Sequence, residues 1–180
     1  IFYRRAVNSY ATLPIQVDLR YVRILTELAE CSRKLRQFGP AEELGLAAKN
    51  KALQSVGKEH QSYGTCLLAL GAVYVVQRRY FEAQHLLQKA QTVLAAAVGE
   101  KHHAYSVCLT ELANAYIGQG KYSEAELILK ACLEIHKQND DADASANAES
   151  KHASTTSTLL MFGKLSVTMG KYTQAEQCFH

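Results

Sequence analysis

The chain has 180 residues, a formal net charge of +3 and 48 % hydrophobic residues. That length suits one domain with a sizeable core, and the charge is too weak and too dispersed for a nucleic-acid surface. No apolar run approaches the ~18 residues of a membrane span, and five cysteines without CxxC spacing argue against a zinc site or a disulfide framework and for reduced thiols in a cytoplasmic protein.

The chain reads as tandem repeats from its first residues. Phe2-Tyr3-Arg4-Arg5-Ala6 is in register with Leu86-Leu87-Gln88-Lys89-Ala90, so residues 1–13 read as the end of a preceding repeat's second helix. Repeat 1 spans 14–57, with Leu25, Leu28 and Ala29 on one helix face and Gly39-Pro40 opening a second helix. Repeat 2 spans 58–99 and repeat 3 spans 100–137. Arg79-Tyr80-Phe81-Glu82-Ala83 recurs as Lys121-Tyr122-Ser123-Glu124-Ala125, 42 positions on. Residues 138–151 read as an inserted polar, alanine-rich linker. Repeat 4 spans 152–180 and is truncated. Its Gly170-Lys171-Tyr172 lies 50 positions after Gly120-Lys121-Tyr122. The chain is expected to continue into further repeats.

Each repeat reads as two helices. In repeat 3, Leu109, Leu112, Ala113 and Tyr116 share a face at helical spacing. Gly120 can take the left-handed conformation that ends a helix. Ser123 with Glu126, and Thr173 with Glu176, have the spacing of a capping box. Gly71, Ala113 and Gly163 occupy one position of the first helix, and Ala41, Ala83, Ala125 and Ala175 one position of the second. Small side chains there let paired helices approach to ~8–10 Å. One hairpin cannot bury its apolar face alone, whereas a stack of hairpins can. The fold class expected is all-α, a right-handed superhelical solenoid of antiparallel helix pairs.

The pattern Leu–(x2)–Leu–Ala/Gly–(x2)–Tyr followed by Gly-Lys-Tyr-x-x-Ala-Glu resembles the tetratricopeptide repeat. The 42-residue period, with Gly57-Lys58-Glu59-His60 and Gly99-Glu100-Lys101-His102 before the first helices, is similar to the repeats of kinesin light chains. Those proteins carry a His-Pro pair where Gln61 and His103 follow the histidine here. They also carry an Asn-Asn pair where this chain has Thr26-Glu27, Leu68-Ala69, Thr110-Glu111 and Leu160-Met161. The resemblance implies a scaffold that binds a protein or peptide partner, with no cofactor and no enzymatic activity of its own. The alternative it implies is a regulatory repeat array within a larger signalling ATPase.

In such arrays the first helices line a concave groove. By register, its candidate residues are Arg23, Thr26 and Glu30 in repeat 1, and Leu68, Ala72, Val75 and Val76 in repeat 2. In repeat 3 they are Val107, Thr110, Asn114 and Ile117, and in repeat 4 Leu160 and Lys164, with Val167 beside them. This lining, apolar in the middle and charged at its ends, suits an amphipathic helix or an extended apolar peptide. His60, His102 and His152 occupy equivalent positions and read as caps, since ligands spread along a stack cannot meet at ~2 Å from one metal. Cys66 and Cys108 read as small core residues. The run from Asp141 to Glu149 fails as a calcium loop, because its sixth and twelfth positions are Ala146 and His152. Phosphate-loop, GxSxG and HExxH motifs are absent.

Overall fold

A computed structural model describes the backbone of residues 19–142 and 148–179, and the side chains of 19–139 and 155–178. The expected preceding-repeat tail, 1–13, lies outside the described residues. Among those described there are eight helices and no strand: α1 (Leu19–Lys34), α2 (Phe38–Val56), α3 (Gln61–Val76), α4 (Tyr80–Val98), α5 (His103–Gly118), α6 (Tyr122–Ala142), α7 (Ala148–Thr168) and α8 (Tyr172–Phe179). They fall into two compact units, one ending at Ala97 and the other beginning at Val98. Helix onsets copy the repeat period. Phe38, Tyr80 and Tyr122 open second helices at equivalent positions, and Tyr172 does so after the insertion.

One turn geometry closes all four hairpins. The second residue after each first helix has positive φ: Arg36 (59°), Arg78 (63°), Gly120 (77°) and Gly170 (73°). The next amide then bonds back to the carbonyl five residues earlier. Arg79 N donates to Tyr74 O at 2.9 Å, Lys121 N to Tyr116 O at 2.9 Å, and Lys171 N to Ser166 O at 2.8 Å. This is a Schellman ending, which satisfies the last free carbonyls of a helix. Two of the four positions hold arginine, where a side chain is disfavoured.

The second helices begin differently from the capping-box expectation. Ala125 N donates to Lys121 O and Ala175 N to Lys171 O, so the helix starts before Ser123 and Thr173, and these residues lie inside the first turn. Gly39-Pro40 likewise falls within the first turn of α2, whose N-cap is Gln37. Glu126 is drawn into ion pairs with Lys130 at 2.8 Å and Lys171 at 2.6 Å. The stretch 138–151 also departs from a plain linker. α6 runs on to Ala142 and α7 starts at Ala148, while 143–147 lie outside the described residues. Alanine is the strongest helix former, and it flanks both helix ends here.

In unit 1, Val22 and Leu25 of α1, Ala48 and Ala52 of α2 and Cys66 of α3 form a buried cluster, with Tyr21, Leu44 and Tyr63 packed against it. Alanine on α2 brings three helices close. The α3–α4 contact is tighter still: a Cβ added at Gly71 would lie 2.7 Å from Leu87 Cγ, and one at Gly64 3.0 Å from Leu94 Cγ. Leu87 and Leu94 are fully buried, and each is worth about 1.5–3 kcal/mol by area. In unit 2, Ala113 of α5, Ala125 and Leu129 of α6, and Phe162 and Leu165 of α7 form a buried cluster.

An ion pair recurs at one register position. Arg79 Nη1 donates to Glu42 Oε1 at 2.7 Å in unit 1, and Lys171 Nζ donates to Glu126 Oε2 at 2.6 Å in unit 2. Each ties the fifth residue of one second helix to the residue before the next second helix. In unit 1, Gln77 Nε2 adds a bond to Glu42 at 2.9 Å, and the Arg79 guanidinium stacks 3.9 Å over the Tyr74 ring.

Candidate partner-binding site

The first helices are set by their histidine caps. His60 and His102 have extended backbones, and their Nδ1 atoms accept from the amides of Ser62 and Ala104, both at 3.1 Å. An accepting Nδ1 places the ring proton on Nε2. The capping expectation therefore holds for these two residues. The third, His152, lies within α7, where its side chain is outside those described.

In unit 1 the structure brings Arg23 and Thr26 together at a pocket of about 540 Å³ between α1 and α3. Gln61, Ser62 and Thr65 of α3 line it as well. Sequence reasoning missed these three. The signal available was the polar first turn after His60, where kinesin light chains have proline. Arg23 is largely exposed and pairs with Glu27 at 2.9 Å. Thr26 Oγ1 donates to Val22 O at 2.9 Å and lies 3.4 Å from Cys66 Sγ. Glu30 is held by Arg33 through two bonds of 2.8 Å, which keep its carboxyl below the ordinary value.

The α3 candidates divide. Leu68 and Val75 are half-buried and Val76 is 38 % exposed, but Ala72 is buried. Packing of α1, α2 and α4 on α3 leaves Ala72 almost no surface, which corrects its assignment to the groove.

In unit 2, Val107 is half-buried, and Thr110 Oγ1 is turned to Ser106 O at 2.9 Å. Asn114 donates to Glu111 at 3.2 Å. Ile117 is half-buried and packs against the cluster of Phe162 and Leu165. Lys164 is exposed, as are Leu160 (45 %) and Val167 (47 %), on α7.

Beneath the unit 2 face lies a buried polar nest. Cys132 Sγ is 3.6 Å from Ser106 O, 3.5 Å from His136 Nε2, and 3.8 Å from both Thr110 and Thr158 Oγ1. Two repeats earlier, the register equivalents in unit 1 are Val22, Thr26, Ala48, Ala52 and Cys66, four of which belong to its apolar cluster. An apolar contact in unit 1 is thus a polar one in unit 2. Burial pushes the Cys132 thiol up, which favours the neutral thiol over a nucleophilic thiolate. Cys66 and Cys108 are fully buried core residues, as expected. Among the described residues no group of three or more histidine, cysteine, aspartate or glutamate side chains could hold a metal, and no helix is long and apolar enough to cross a membrane.

A model of the tetratricopeptide repeat matches residues 67–138. Among solved structures, the chain is similar to BtubC (BKLC) from P. vanneervenii, with 19 % identity, a TM-score of 0.79, and 98 % of this chain and 67 % of that one covered. It is also similar to a kinesin-light-chain-type protein of nearly identical TPR-like repeats from Podosopora anserina, at 20 % identity and a TM-score of 0.72, covering 98 % and 80 %. A single-substitution variant of that protein gives a TM-score of 0.74 over the same shares. No curated protein matches the chain. Tetratricopeptide repeats occupy residues 67–138, and in fold the chain is like the kinesin-light-chain repeat arrays.

Proposed function

We propose that this chain is a cytoplasmic protein-interaction scaffold that holds a peptide or partner helix on the exposed faces of its first helices. Tetratricopeptide repeats generally mediate protein–protein interaction, and a helical-repeat fold of this type is typically a non-enzymatic scaffold. The observation that carries the reading is the pocket between α1 and α3. Arg23, Thr26, Ser62 and Thr65 bring hydrogen-bonding groups to its wall, and buried Val22 also lines it. Such a mixture orients a peptide backbone while accepting an apolar side chain. Val76 on α3, and Leu160 and Val167 on α7, add exposed apolar surface to first helices.

The test is selection of displayed peptides on the whole chain, followed by binding titrations with a synthetic winner. Arg23→Glu and Val76→Glu replace exposed side chains and leave the unfolding curve unchanged. Each should weaken binding by about tenfold. Selected peptides that bind both variants as tightly as the parent chain would remove the first-helix assignment.

A further inference from the structure

A second pocket, of about 420 Å³, lies in unit 1 away from the first-helix residues named above, where α2, α3 and α4 meet. Leu70 and Tyr74, both buried, line it together with Leu46 of α2 and Phe81 of α4. Phe81 is 74 % exposed.

The repeat register makes two of these residues unusual. Leu46 stands where later repeats have Gln88 and Lys130. Phe81 stands where the others have Gly39, Ser123 and Thr173. Small or polar residues satisfy the fold at both positions, so hairpin packing does not require the apolar ones. They come from different repeats, and the fold brings them to the same pocket. A phenylalanine left this open contributes little to stability, and a partner that covered it would remove its ring from water.

Charge narrows the occupant. Glu82 at the pocket is paired with Arg79 at 2.5 Å, and Glu42 shares the same guanidinium. Both acids carry a cationic partner already. Lys49 also lines the pocket, and among the described residues it forms no ion pair. We propose that this pocket is a docking site for a partner segment bearing a large apolar side chain with a carboxylate about one helical turn away. The apolar group enters between Leu46 and Phe81, and the carboxylate meets Lys49. This surface is separate from the one in the proposed function.

The test screens the full chain against displayed random peptides, then repeats the screen with Lys49→Glu and Phe81→Ser. Phe81→Ser installs the residue that repeat 3 carries at this position, so folding should persist, and thermal unfolding checks it. Enriched peptides should pair an aromatic or large aliphatic residue with Asp or Glu within about four positions. A synthetic winner should bind about tenfold more weakly to each variant and equally to Arg23→Glu. The proposal is overturned by no enrichment, by enriched peptides without acids, or by binding indifferent to both variants. It is also overturned if sedimentation shows a dimer of this chain that Phe81→Ser dissolves. Peptides lost with Arg23→Glu alone would support the first-helix surface and overturn this one.

Discussion

Gly71→Ala should weaken unit 1, although the same exchange normally favours a helix. Alanine gains about 1 kcal/mol over glycine in a helix interior. Here the new methyl would sit 2.7 Å from Cγ and Cδ2 of Leu87, closer than carbon atoms approach. Leu87 is fully buried, so it has no free space to swing into. Overpacking of this kind costs about 1–3 kcal/mol, giving a net loss of up to about 2 kcal/mol. Gly39→Ala is the comparison without core packing: apart from its chain neighbours no atom lies within 4 Å of its added Cβ, so its effect is set by Pro40, which disfavours a helical backbone at a preceding residue that carries a Cβ. Urea unfolding followed by circular dichroism reports both, provided the slope stays constant. Trimming the obstacle gives a second readout. Leu87→Val should cost less in the Gly71→Ala background than in the parent chain, with a coupling of about 0.5–3 kcal/mol. Ala113, the register equivalent in unit 2, already sits in one cluster with Leu129, so the position tolerates a methyl where the helix spacing allows it. A Gly71→Ala chain more stable than the parent, or strictly additive effects with Leu87→Val, would refute the contact.

Arg78→Gly should stabilise by about 1 kcal/mol, because Arg78 has φ of 63° where Gly120 and Gly170 serve the same turn; an unchanged midpoint in the same urea assay would contradict this. Glu126 has its carboxyl held below the ordinary 4.5 by hydrogen bonds from Lys130 and then Lys171. A carboxyl depressed by folding adds stability above its unfolded value and loses it as pH falls through the folded one. Thermal unfolding of Glu126→Gln should therefore vary less than the parent below about pH 4.5, and parallel curves would exclude the effect. Thiol labelling with a disulfide reagent should modify exposed Cys31 first and half-buried Cys178 next. Cys66, Cys108 and Cys132 should resist until unfolding, since they are buried and Cys108 is pushed up to about 12; rapid labelling of Cys108 in the folded chain would show that its helix opens locally.

The fold was legible because each repeat states the same hairpin in different residues. The spacing of Tyr80 and Tyr122, and of Ala83 and Ala125, marks where the second helices recur, although each begins ahead of the capping position that spacing implies. Caps were less legible. Ser123 and Glu126 have capping-box spacing, yet the helix begins earlier and Glu126 answers a lysine 45 positions along the chain. Local spacing carries no information about a partner that far away. Ala72 is buried for a related reason: register assigns a residue to a helix face, but the number of neighbours on that face sets its exposure. Phe81 shows the converse. Its departure from Gly39, Ser123 and Thr173 was visible in the repeat comparison, but the pocket that gives it meaning appears only once α2 and α4 are placed.

The nest around Cys132 bears on how such a chain assembles. Hairpins that are near-copies of one another can exchange neighbours while folding, which is the route to swapped dimers. If α6 were to dock on α3 in place of α5, Cys132 would meet Leu68 where Thr110 now stands, a side chain with no polar atom to receive it. A buried polar group stranded in this way costs about 1–3 kcal/mol. Ser106, Thr110, Cys132, His136 and Thr158 thus work as a key that fits one lock among look-alikes, and the apolar helices of unit 1 cannot turn it.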